Sequence, residues 1–468
     1  MKEKSIKKNI LLNTVRTLLN VVFPLITFPY IARILSPKNI GIYDFSRSIN
    51  GYFILIAGLG ITQYAVREGA FLRNNEKEFE KFASEIFSIN LLSSMVSYLL
   101  LCITLFFSSY LMDYKNIILI FSLQILFNTV SVEWLYTIHE DFFYITVRSI
   151  LVQVISIVLM FCFVRKPEDY INYAWITTLS SGGASIFNFF HSKVYCKLKI
   201  VMRNLKQHIV PILILFSNDI ASTIYINSDV TVIGFISGNY YVGIYSIAVK
   251  IYTMVKQISK AVILVVVPRL SNYYLTGQQD KYNDILKKVF EIVALLTFPA
   301  SIGLIMLRHQ IVSIIAGEKY FRSADSLAIL AVSLLFSVFA TYLVYGFLLV
   351  QRKEKDMLKI TIISAITNLI LNFLSVPFIQ EKGAALSTMI SELLVVILSF
   401  KKIDIKFRPS LNKKTKISII VECLFILLIC TITKNVFNSA LIIIFISAGL
   451  SLLVYALLLY FFKISIKI

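Results

Sequence analysis

The feature that most constrains this chain is a repetition. Runs of roughly 18–25 mostly apolar residues follow one another from end to end, each about long enough to cross a 30 Å hydrocarbon core. Only short polar stretches separate them. The chain has 468 residues, of which 57% are hydrophobic and 15% charged. A soluble protein carries about 25% charged residues. The expected fold is therefore an all-α polytopic integral membrane protein.

Fourteen spans are expected, near 10–34, 40–65, 84–108, 116–138, 144–164, 170–191, 209–234, 241–266, 289–308, 326–349, 358–379, 384–400, 415–433 and 438–462. The count falls to twelve if two of these are re-entrant. The first run has no small-residue cleavage site after it and reads as a retained helix, not a signal peptide. The connections are too short for an ATPase or glycosyltransferase domain. No phosphate-binding loop, HExxH or GxSxG motif occurs, so a non-enzymatic protein without a cofactor is expected. The five cysteines lack CxxC spacing and read as small apolar residues.

A formal charge of +20 could point to nucleic acid. The cations instead sit in the connections. With an even span count, 30 of the 46 Lys and Arg lie on the side of the two termini and 9 on the other. Cationic loops stay in the cytoplasm, so both termini are expected there.

An internal repeat organises the spans. ARILSPKNIGIYDFSRSI from Ala32 and GFISGNYYVGIYSIAVKI from Gly234 both leave a span and enter the next through Gly-Ile-Tyr. Gly41, Ile42 and Tyr43 match Gly243, Ile244 and Tyr245, and Arg67 matches Arg269, all at an offset of 202. Ile145-Thr146 pairs with Ile360-Thr361, and Ala174 with Ala385. Two parallel six-helix repeats are expected, related by a pseudo-two-fold axis along the membrane normal. They occupy residues 1–208 and 209–400, with an additional helix pair in 401–468.

Charges inside the spans are the candidate functional residues, because an ionised side chain facing lipid costs about 2.5 kcal/mol or more. Asp44 and Arg47 share a face of the second span at i and i+3. They form either a helix-locking ion pair or the lining of a wet cleft. Arg16 and Arg33 lie in the first span, where Pro24 and Pro29 remove backbone donors and should bend the helix. The eighth span carries Lys250, Lys256 and Lys260, the last two at i, i+4. Arg16, Arg33, Arg47 and these three lysines form the candidate substrate-binding set. It would favour an anion such as a phosphate or pyrophosphate. Asp219 and Asp229 in the seventh span could bind H+ or Na+, or could pair with the lysines. Glu133, Arg148, Glu291, Glu392 and Glu422 read as structural.

The stretch FPLITFPYIARILSPKNIGIYDFSRSINGYFILIAGLGITQYAVREGA, from Phe23 to Ala70, closely resembles the start of bacterial polysaccharide-transporter family proteins. GAALSTMISE, Gly383 to Glu392, extends the similarity over the first 400 residues. These are the O-antigen and capsule repeat-unit flippases of the multidrug/oligosaccharidyl-lipid/polysaccharide exporter superfamily. The resemblance implies movement of undecaprenyl-pyrophosphate-linked oligosaccharide to the outer leaflet by alternating access, coupled to an H+ or Na+ gradient. It also implies two helical bundles around a cationic cavity, here with Arg16, Arg47, Lys250 and Lys256, and a polysaccharide polymerase as a partner. Many members have twelve spans, so fourteen is a departure. A peptidoglycan-precursor flippase and a multidrug antiporter of the same superfamily are the alternatives, and a membrane glycosyltransferase would need a longer outer loop. Reporter fusions test the expected topology. Green fluorescent protein at the C-terminus should fluoresce and alkaline phosphatase inserted after Lys166 should be active; the reverse pattern would invert the assignment.

Overall fold

The computed structural model describes residues 23, 26–403 and 410–462. Among these there is no β-strand, and the chain separates into two compact units, Met1–Asn227 and Ser228–Ile468. Among the described residues, eleven helical segments are long and apolar enough to cross a membrane.

In the first unit, α1 covers residues 26–34 and is followed by α2 (Pro37–Gly58), α3 (Ile61–Leu72), α4 (Glu76–Phe107), α5 (Ser109–Met112) and α6 (Lys115–Ser131). Then come α7 (Glu133–Ile138), α8 (Phe142–Phe163), α9 (Tyr170–Gly182) and α10 (Ser185–His191). Ser36 starts α2 by accepting from the Asn39 N–H at 3.2 Å, with Pro37 in the first turn, where its missing donor costs nothing. α2 stops because Leu59 and Gly60 both adopt left-handed backbone, at φ 44° and 71°. A side chain at Gly60 would meet the Phe216 backbone nitrogen at 3.0 Å, so the break is also a close approach to α11 (Lys206–Ile236).

Lipid supplies no hydrophobic drive for helix association, so packing and interhelical hydrogen bonds do that work. One face of α4 shows how. Asn90 and Ser93 donate to the Ala57 carbonyl at 2.8 and 2.6 Å, and Ser97 donates to Phe53 at 2.6 Å. Their spacing puts all three against α2. On the other side Asn50 of α2 donates to the Phe121 carbonyl of α6 at 2.8 Å. α11 is fastened where it begins: His208 Nε2 lies 2.9 Å from Glu85, and Tyr64 Oη lies 2.8 Å from His208 Nδ1.

The second unit continues α11 and adds α12 (Asn239–Leu275), α13 (Gln279–Ala316), α14 (Ser323–Leu343, ending in a π-helical turn), α15 (Glu354–Lys401), α16 (Lys413–Val436) and α17 (Ala440–Phe461). α14 sits among α12, α13 and α15. Ser323 donates to the Ile244 carbonyl at 2.7 Å, and Ser301 of α13 donates to Ala331 at 2.5 Å. α16 and α17 lean on α13 through Leu307, Ile426, Cys430 and Ile443.

α15 is two expected spans in one unbroken run of residues. Just past Pro377 the backbone leaves helical geometry at Ile379 and Gln380. The two halves then turn back on each other. Ser375 and Ser387 hydroxyls are 3.2 Å apart, where twelve residues of straight helix would separate them by about 18 Å. The expected sixth span is the broken pair α9–α10, and most of the expected first span lies outside the described residues, as do Arg16 and Pro24. Pro29 falls within α1.

α6 and α9 approach closely at Gly182, where a Cβ would run into the Phe127 ring. Gly182→Val should lower stability by about 1–3 kcal/mol through overpacking, read as a lower midpoint of thermal unfolding in detergent. An unchanged midpoint would mean the helices separate freely there.

Candidate functional site

In the first unit the charges lie on α2. Tyr43 is buried, stacks on Tyr173 of α9 with centroids 4.4 Å apart, and meets Phe121 edge-on at 5.2 Å. Its hydroxyl donates to Thr177 at 3.0 Å. Asp44 is buried beside it, at 8% exposure. Arg47, one turn on, is exposed, yet lies close enough to Tyr43, Asp44 and Tyr173 to interact electrostatically with each. The result is an exposed guanidinium inside a span, with a buried carboxylate and two tyrosines close by. Arg33 is exposed in the last turn of α1.

The second unit uses the matched tyrosine differently. Tyr245 donates to the buried Asp229, and its hydroxyl lies 3.4 Å from Thr388. Thr388 itself donates to Asp229 at 2.6 Å, and so does the Asn372 amide at 2.6 Å. Asn368 joins the group, accepting from Ser228 at 2.7 Å and from Asn372 at 3.2 Å. Asp229 therefore sits in a cage of neutral oxygens and amides. The Asn372 carbonyl oxygen is buried there with no hydrogen-bond partner.

The repeat offset of 202 carries Asp229 back to Thr27, and carries Asp44 and Arg47 forward to Ser246 and Val249. Each unit thus has a tyrosine bonded to a threonine of its sixth span, Tyr43 to Thr177 and Tyr245 to Thr388. Only the first has the cation and only the second has the caged acid.

The lysines of α12 are half-buried. Lys256 donates to Glu392 of α15 at 2.7 Å, and its ammonium lies 5.5 Å from the Tyr252 ring centre. Lys260 lies 5.5 Å from that of Tyr345. The acid that meets Lys256 is thus Glu392, not Asp219 or Asp229. Asp219 accepts instead from Gln63 at 3.4 Å. Glu392 reads from sequence as a structural residue, because its partner is 136 positions away. Thr388 carried a usable signal: it matches Thr177 at the same offset of 211 as Ala174 and Ala385.

Membrane-crossing helices with buried polar groups between them make this a multi-pass membrane protein of a transporter fold. The fold is similar to that of the lipid II flippase MurJ in an inward closed conformation, with a TM-score of 0.70 at 17% identity over 95% of this chain and 99% of the other. It is also similar to an inward-facing multidrug resistance MATE family transporter of the MOP superfamily, with a TM-score of 0.59 at 14% identity over 83% and 93%. The polysaccharide biosynthesis protein family model matches residues 6–274, and the chain belongs to that family. A candidate O-antigen transporter of Escherichia coli (strain K12) is 26% identical over 402 residues, 84% of this chain and 95% of that protein.

The Lys256–Glu392 pair makes a direct prediction. Removing one partner from a buried pair costs up to 3–5 kcal/mol, and the partial exposure of Lys256 brings the expectation down to about 1–3 kcal/mol. Glu392→Gln should destabilise more than the double variant with Lys256→Met. Additive losses in thermal unfolding would show that the two groups do not interact.

Proposed function

We propose that this protein is a flippase that moves undecaprenyl-pyrophosphate-linked oligosaccharide repeat units from the cytoplasmic to the outer leaflet of the cytoplasmic membrane. It would act by alternating access in O-antigen, capsule or exopolysaccharide synthesis. Membership of the polysaccharide biosynthesis family and similarity to the candidate O-antigen transporter support this reading. The observation that carries it is Arg47: an exposed guanidinium inside a membrane span, within electrostatic reach of Asp44, Tyr43 and Tyr173. A charge so placed must be met by water or by an anion. A diphosphate suits the forked donors of arginine. The prenyl chain remains in lipid while the headgroup passes.

The other cations share this role unequally. Arg33, Lys250 and Lys260 add positive potential. The charge of Lys256 is largely answered by Glu392, so its part is to hold α12 against α15. Arg16 joins the set on its sequence position alone. The coupling ion, H+ or Na+, is assigned to Asp229. A carboxylate beside Asn368, Thr388 and the unsatisfied Asn372 oxygen offers hard oxygen ligands to a small cation, or can itself take up a proton. The termini lie in the cytoplasm on this reading, and a polysaccharide polymerase would receive the flipped unit.

The test is transport of lipid-linked oligosaccharide in proteoliposomes, followed by exposure of sugar to an external lectin. Arg47→Ala should cut the rate at least about tenfold, the loss of one charge-assisted contact worth roughly 1.4 kcal/mol or more, with partial recovery in Arg47→Lys. Asp229→Asn should still bind the lipid but lose its response to an imposed H+ or Na+ gradient. Full transport by Arg47→Ala would remove the anion site, and an unchanged ion response in Asp229→Asn would remove the coupling site.

A further inference from the structure

The break between α2 and α3 opens a cavity that no charge pair fills. Its volume is about 340 Å³, and every lining residue belongs to the first unit. Pockets of roughly 300–1,000 Å³ with a few convergent polar groups are typical of small-molecule sites. The space exists because side chains are missing. A Cβ at Gly58 would sit 3.2 Å from the Asn128 amide, and one at Gly51 would sit 2.7 Å from that of Asn227.

The chemistry of the lining is specific. Asp219 is its one charged group, and the hydrogen bond it accepts, from Gln63, is long at 3.4 Å. Gln63 and Thr62 are exposed at the rim, and Asn128, Ser222 and Thr223 are half-buried within. This array offers acceptors and neutral donors in close sequence around one carboxylate. A phosphate would be repelled. A ring bearing several hydroxyl or acetamido groups would not be: adjacent O–H donors suit a carboxylate, and amide side chains both give and accept. Ile54 and Leu55 supply an apolar wall.

The position of the cavity relative to Arg47 completes the case. Gly51, Ile54 and Gly58 follow Arg47 at i+4, i+7 and i+11, one stripe of α2. The stripe runs about 16 Å from the guanidinium-bearing turn to the helix break. An anion held at Arg47 therefore has a hydrogen-bonding pocket beginning one turn away along the same face.

We infer that the cavity at the α2–α3 break is a saccharide subsite, in which Asp219, Gln63 and Asn128 bind the sugar next to the diphosphate and help set which glycan is accepted. This rests on the proposed flippase function and assigns Asp219 to sugar recognition, leaving ion coupling to Asp229.

The experiment measures binding to the purified full chain in nanodiscs. The probes are bare undecaprenyl pyrophosphate and the same lipid carrying glucose, galactose or N-acetylglucosamine. At least one sugar-bearing lipid should bind about tenfold more tightly than the bare lipid. Gln63→Ala and Asp219→Asn should each remove most of that gain while leaving bare-lipid affinity within about twofold. Gln63 is exposed, so its variant should fold normally, and thermal unfolding of both variants checks this. If no sugar improves binding, or if the gain survives both substitutions, the subsite is wrong. The same holds if Asp219→Asn abolishes the ion response but keeps the sugar gain. Absence of any binding by the bare lipid would instead count against the flippase reading itself.

Discussion

An ionised side chain placed in hydrocarbon must find a partner, and most of this structure can be understood from how that requirement is met. Asp44 is buried one turn from Arg47 and two tyrosines close around them, so the cation can be presented from within a span. Lys256 meets Glu392. Asp229 is surrounded by hydroxyls and amides. These are three different solutions to one desolvation problem. Only the first leaves a positive group in open space, and only the third leaves a carboxylate in a neutral cage. The proposed division of labour rests on that difference: anion display on α2, cation uptake at α11, α12 and α15.

The same economy governs the backbone. Asn90, Ser93 and Ser97 of α4, Ser301 of α13 and Ser323 of α14 bond to carbonyls of neighbouring helices. Such contacts average only about 0.6 kcal/mol each in membranes, so order comes from their number and from close approach at glycines. Where the backbone departs from helix, at Leu59–Gly60 and at Ile379–Gln380, functional or topological consequences follow. The first break lies beside a polar cavity. The second folds α15 into a hairpin that brings Asn372 and Thr388 to the same carboxylate.

Much of this was legible in the sequence. Apolar runs located the spans, including the two halves of α15, because Pro377 and the polar QEKG segment interrupt the hydropathy. The Gly-Ile-Tyr repeat singled out Tyr43 and Tyr245, which take equivalent threonine partners. Charge alone singled out Asp44, Arg47 and Lys256. What could not be read was which neutral residues surround them. Asn368, Asn372 and Thr388 look like any small polar residues of a packed membrane helix, and Gln63 looks like a helix-end residue. Nothing local to Glu392 announces a lysine 136 positions away. Pairing between distant helices is a tertiary property, and period and composition carry no trace of it.

The central claim is that Arg47 faces a path open to water and to the anionic headgroup. Its most direct test is the reactivity of Arg47→Cys, in a background without the native cysteines, toward a water-soluble, membrane-impermeant thiosulfonate. The account predicts rapid labelling that undecaprenyl pyrophosphate slows. Labelling only by a lipid-soluble maleimide, with no protection by the prenyl diphosphate, would contradict it.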